Sequence, residues 1–153
     1  MSYTRAIYHI IFRTKSGIPA ITEEYETILY SFIWKFITQR KSVLYRINGM
    51  PDHIHLLVDL HPKIAVADFV QQLKNATHLL LERHKAEFPL FSAWAVGYCA
   101  LTYSERDKPQ ILNYIKNQKK HHQQKYKTFS DEIKFLMSEN GIAIDEQFFE
   151  RNI

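Results

Sequence analysis

Residues 50–58 read Met-Pro-Asp-His-Ile-His-Leu-Leu-Val, MPDHIHLLV, with two imidazoles one residue apart at the head of an apolar run. Gly49 to Asp52 is turn chemistry. The alternation that follows reads as a strand, in which successive side chains point to opposite faces. His53, His55, Leu57 and Asp59 then share one face, and Ile54, Leu56 and Val58 share the other. Strand spacing puts the two rings about 6–7 Å apart, near enough for both to reach one ion.

Working outward, residues 42–48 (SVLYRIN) read as the strand before this turn, and 53–60 as the strand after it. Residues 4–13 (TRAIYHIIFR) are β-branched and aromatic, a first strand, with SGIP at 16–19 as a turn. Thr22 can cap a helix whose first turn holds Glu23 and Glu24. Ile28, Leu29, Phe32, Ile33, Phe36 and Ile37 recur at helical spacing to about Arg40. A second helix spans about 65–83, with Val66, Phe69, Val70, Leu73, Thr77 and Leu80 as its core stripe. Residues 93–103 (AWAVGYCALTY) read as a fourth strand, with Gly97 a bulge or a close backbone approach. Pro109 suits the first turn of a third helix, about 108–126. A short helix at about 131–140 and a tail with Phe148 and Phe149 follow.

This order, β-α-β-β-α-β plus helix, predicts an α+β ferredoxin-like fold: a four-stranded antiparallel sheet with an added C-terminal helix. The first strand is apolar on both faces (Tyr8, Ile10 and Phe12 against Ile7 and Ile11). The second sheet face is therefore expected to be partly covered, with the third helix the nearest candidate.

At 153 residues, 46% apolar and 24% charged, the chain is expected to be one soluble domain with its own core. We divide it as a single domain, 1–153: a core of about 4–104, a helix of about 108–126, and a tail of 127–153. Cys99 is the single cysteine, which excludes an intramolecular disulfide and fits a reducing cytoplasm. The opening MSYTRAIYHIIFRTK is too interrupted for a signal peptide, and no stretch nears the ~20 apolar residues of a membrane helix. The net charge is +4 and the pI about 9.1. Lys108 to Ser130 holds six lysines and no acid, whereas Asp131 to the end holds six acids against Lys134 and Arg151. The basic stretch reads either as a polyanion site or as a solvated helix face.

That stretch contains ILNYIKNQKK, residues 111–120. Tyr114 and Gln118 are four apart, hence neighbours on one helix face. Gln supplies a neutral oxygen ligand, and an activated phenol can attack phosphorus. Tyr114 equally suits a core stripe with Ile111 and Ile115, and the two histidines equally suit a solvated strand face. Lys116, Lys119 and Lys120 would suit a phosphate backbone nearby.

Together these residues resemble the single-tyrosine transposases of the HUH (His-hydrophobic-His) nuclease superfamily, which mobilise small insertion sequences through single-stranded DNA, the REP-associated tyrosine transposases among their relatives. The resemblance covers roughly residues 6–125. It rests on YHIIFRTK at 8–15, MPDHIHLLV at 50–58, Leu73-Lys74, Phe91, Trp94, Gly97-Tyr98 and YIKNQ at 114–118. It implies that His53 and His55 are paired metal ligands with Gln118 as the third. It implies that Tyr114 is the nucleophile that leaves a 5′-phosphotyrosine and a free 3′-hydroxyl. It also implies magnesium or manganese, single-stranded DNA hairpins as partners, and a homodimer in which the tyrosine can serve the other subunit's histidines. Lys116, Lys119 and Lys120 are candidate DNA contacts. Asp59, Lys74 and the lysines after Gln118 gain no role from it, so the lysine contacts rest on charge alone.

Imidazole favours zinc, copper, iron and nickel, while magnesium favours oxygen. The implied metals fit if water and phosphate oxygens complete the shell. A covalent phosphotyrosine would keep the bond energy for rejoining, in keeping with a chain that carries no Gly-rich phosphate loop. Two other readings compete. One is a non-catalytic single-stranded nucleic-acid-binding domain, which needs none of these four residues. The other is a His-x-His nucleotide phosphohydrolase, which does not need the tyrosine.

Overall fold

The computed structural model describes residues 2–125 and 128–145. Strands β1 (Ile7–Arg13), β2 (Val43–Met50), β3 (His53–Asp59) and β4 (Cys99–Tyr103) form one sheet in the order β2-β3-β1-β4. Every neighbouring pair is antiparallel. With α1 (Glu26–Gln39) and α2 (Val66–Arg83) as crossovers, this is the expected ferredoxin-like α+β arrangement.

Period-two alternation assigns the sheet's faces. Tyr8, Ile10 and Phe12 lie opposite Val58, Leu56 and Ile54 and pack on α1 and α2, which bury Leu29, Ile33, Ile37, Phe69, Val70 and Leu73. Each such side chain contributes about 1.5–3 kcal/mol of burial, so this layer carries the main core. The opposite face shows Ile7, His9, Ile11, His53, His55 and Leu57. It is covered by α3 (Lys108–Lys116), α4 (Gln118–Gln124) and α5 (Phe129–Glu139). Ile115 packs on Ile7 and Leu57, while Phe129, Ile133, Leu136 and Met137 pack on Ile11, Cys99 and Leu101.

Several boundaries differ from the sequence reading; β1 starts at Ile7 rather than residue 4, and β2 runs on to Met50. Thr22 does not cap α1: its carbonyl accepts from the Tyr25 and Glu26 amides, forming a separate turn, and the helix starts at Glu26. The fourth strand starts at Cys99 rather than Ala93. Lys74 Nζ donates to the carbonyls of Ala95, Val96 and Gly97 (2.8, 3.3 and 2.6 Å), fixing that segment away from regular pairing. Trp94 keeps one bridge to Thr14 and turns its indole N–H to Thr77 Oγ1. The ladder irregularity falls in β2, between Leu44 and Arg46, rather than at Gly97.

The third helix is not continuous. It breaks at Asn117 (φ −98°, ψ 21°), because the Asn48 side-chain amide of β2 donates to the Ile115 and Lys116 carbonyls, each at 3.1 Å. In an unbroken helix those carbonyls would serve the amides of Lys119 and Lys120. The last helix starts two residues early, at Phe129, capped by the Thr128 hydroxyl accepting from the Asp131 amide. Tyr126, Phe148 and Phe149 lie outside the described residues.

Candidate active site on the covered sheet face

The β2–β3 hairpin turns in two residues, Pro51 and Asp52, so that His53 opens β3 directly. Gly49 lets the strands approach closely there: a Cβ at that position would stand 2.2 Å from the His53 carbonyl oxygen. His53 and His55 do point to one face, as their spacing predicts, and both are fully buried. Each ring is fixed from behind. Asp52 Oδ1 meets His53 Nδ1 at 2.7 Å, and His9 Nε2 of β1 meets His55 Nδ1 at 2.8 Å. Both Nε2 atoms therefore face the helices.

What they face is Glu132 of α5, fully buried. Its Oε1 lies 3.1 Å from His53 Nε2, 3.1 Å from His55 Nε2 and 2.9 Å from His122 Nε2 of α4. Its Oε2 accepts from the Gln118 amide at 2.7 Å and from the Tyr114 hydroxyl. The Gln118 amide oxygen is 3.4 Å from His53 Nε2. The break at Asn117 thus does not separate Tyr114 from Gln118, and both reach the same carboxylate from either side of it. Tyr114 sits beside its own chain's histidines, with ring centroids 6.1 Å from His55 and 6.0 Å from His9. Next to it, a cavity of about 350 Å³ between α3 and α5 is lined by His9, Tyr103, Ile111, Tyr114 and Leu136, among others.

Protons distribute over this cluster as one set. Burial opposes a charge on His53, but the hydrogen bonds it donates to Asp52 and Glu132 outweigh it and raise the ring to about 9. Burial lowers His55 despite Glu132, and lowers His9 further, with His55 beside it. Burial alone would also raise Glu132. The imidazoles around it reverse this and hold it ionised, well below the usual carboxylate range.

The donor set fits a divalent ion. Two ligands each about 2.0–2.1 Å from one ion lie ~2.8–3.0 Å apart at right angles and ~3.4 Å apart in a tetrahedron, a range that includes the 2.9–3.1 Å hydrogen-bond distances from Glu132 Oε1 to the three rings. His53, His122 and Glu132 place their ligating atoms within 4.8 Å of one another, and His55, expected as the second ligand, is not part of that group.

Of the expected residues, Tyr114, His53, His55 and Gln118 come together. Lys116 and Lys120 are exposed. Lys119 is instead tied to both Glu26 oxygens (3.0 and 3.1 Å), to Asn48 Oδ1 (2.9 Å) and to the Gly49 carbonyl (3.3 Å). Sequence reasoning missed His9, His122 and Glu132. The signals were present: His122 is one helical turn after Gln118, and Glu132 lies within the apolar stripe Phe129, Ile133, Leu136.

A family described as "Transposase IS200 like" matches residues 2–118. ISDra2 transposase TnpA of Deinococcus radiodurans is 30% identical over 115 residues, 72% of this chain and 82% of that protein. The transposase for insertion sequence element IS200 of Salmonella typhimurium is 28% identical over 115 residues, 72% of this chain and 75% of its own length. A crystal structure assigned as a transposase from D. radiodurans R1 superposes with a TM-score of 0.60 at 31% identity. That match covers 77% of this chain and 95% of the other. A REP-associated tyrosine transposase bound to a REP hairpin shares the fold at a TM-score of 0.54 and 13% identity, over 82% and 73% of the two chains.

Proposed function

The chain belongs to the IS200-like transposase family, and from that premise we propose that it cuts and rejoins single-stranded DNA at insertion-sequence ends through a covalent bond to Tyr114. The observation that carries this reading is convergence. A phenol, two ring nitrogens and an amide from residues 53, 55, 114 and 118 meet at one buried point.

In the forward step the Tyr114 oxygen bonds to phosphorus and the bond from phosphorus to the 3′ oxygen breaks. The phenol proton is given up and the departing 3′ oxygen gains one, so the products are a 5′-phosphotyrosine and a 3′-hydroxyl. Rejoining reverses the step, which is why no nucleotide cofactor is required. His53, His55 and Gln118 would hold magnesium or manganese, and the ion, when bound, would polarise the phosphate and stabilise the leaving oxygen. The Glu132 carboxylate supports this placement, because an anionic oxygen already sits against the Tyr114 hydroxyl, the Gln118 amide and the imidazoles.

Lys116 and Lys120 contact the DNA backbone, while Lys119 is held and neutralised by Glu26. Residues 1–153 act as one transposase domain in the cytoplasm; among the described residues no helix is long and apolar enough to cross a membrane. Two copies act together on hairpins at the two DNA ends, since joining two ends takes two tyrosines and one chain supplies a single Tyr114. The test is a labelled single-stranded hairpin incubated with protein and manganese or magnesium. A denaturation-resistant adduct is expected, and Tyr114→Phe should abolish it. An adduct that persists in that variant refutes the assignment.

A further inference from the structure

Resting on the reading that His53 and His55 hold a divalent ion, we infer that Glu132 and His122 are also ligands of that ion, supplied by helices beyond the family-matched residues 2–118. The carboxylate is fully buried, and a buried acid is costly unless it is matched by charge and hydrogen bonds. Its Oε1 is 2.9–3.1 Å from three imidazole nitrogens, the separation of neighbouring ligands on one ion. The rings are braced as ligands are. Asp52 and His9 occupy the far nitrogens of His53 and His55, so each Nε2 is directed at the same oxygen.

The helices keep it there. Phe129, Ile133, Leu136 and Met137 bury one face of α5 against β1 and β4, leaving Glu132 no other direction along that stripe. The two carboxylate oxygens divide the work: Oε1 faces the imidazoles, and Oε2 holds the Tyr114 hydroxyl. Glu132 therefore ties the nucleophile to the metal position. The two imidazoles and one carboxylate of His53, His122 and Glu132 also favour manganese, cobalt or zinc over magnesium, which prefers an oxygen shell rich in water.

The experiment strips the full-length chain with a chelator and titrates it separately with Co²⁺, Mn²⁺ and Mg²⁺. Binding is read by calorimetry and, for cobalt, by visible absorption. One ion per chain is expected, with Co²⁺ and Mn²⁺ bound at least tenfold more tightly than Mg²⁺. Glu132→Gln and His122→Ala should each weaken Co²⁺ at least tenfold and alter its spectrum, while Asp131→Asn on the same helix should change neither. Wild-type cobalt binding in both variants, with loss in His53→Ala, overturns the inference and leaves the histidine site standing. No binding by the wild type overturns both. If Glu132→Gln fails to fold, His122→Ala decides, because that ring lies at the rim of the cluster at 6% exposure.

Discussion

Replacing Gly49 with alanine tests how the hairpin aims His53. A methyl there would stand 2.2 Å from the His53 carbonyl oxygen and 2.9 Å from the Ile54 Cα. The first distance falls about 1.2 Å short of ordinary contact. Both atoms belong to the β3 backbone, so no side chain can rotate away, and the strand must shift with His53 attached. Overpacking of this kind costs about 1–3 kcal/mol. With backbone on both sides the upper figure applies, which lowers Tm by roughly 6–12 °C in a chain of this size. A displacement near 1 Å at a reacting group costs on the order of 100-fold in rate. Thermal unfolding by circular dichroism reads the first effect, and single-turnover cleavage of a labelled hairpin reads the second. Gly141→Ala is the control: nothing lies within 4 Å of its Cβ, and its φ of +70° should cost only about 1 kcal/mol with cleavage unchanged. If Gly49→Ala melts and cuts like the wild type, the hairpin does not position His53 as argued.

Lys116→Ala with Lys120→Ala should flatten the salt dependence of hairpin binding by up to about 1.4–1.8 in log–log slope, since each phosphate contact contributes ~0.7 on a single strand and ~0.9 on a duplex stem. An unchanged slope measured by fluorescence anisotropy would remove both residues from the interface. Lys119→Ala should instead lower Tm, because its ammonium joins α4 to Glu26 and Asn48 across the hairpin; an unchanged melt refutes that. Tyr114 lies beside its own chain's histidines, so mixed dimers of His53→Ala and Tyr114→Phe should remain inactive. Recovered cleavage would show that the tyrosine crosses to the partner.

The alternation of His53-Ile54-His55-Leu56 and the stripes of the first two helices determined, without any structure, the ferredoxin-like order and the face shared by the paired imidazoles. These are local periodicities, and each residue's side depends only on its neighbours in sequence. The tertiary structure decided what lies far apart in the chain. Asn48 intercepts the carbonyls of Ile115 and Lys116, 67 and 68 positions away, and breaks a helix whose own residues would run on. Lys74 likewise takes the carbonyls of residues 95–97, 21 to 23 positions on, and delays the last strand. Glu132 reads in sequence as one acid of an acidic tail. Only the docking of Phe129, Ile133 and Leu136 on β1 and β4 carries its carboxylate 79 positions back to His53, because the position of a helix over a sheet is set by the apolar surface it covers.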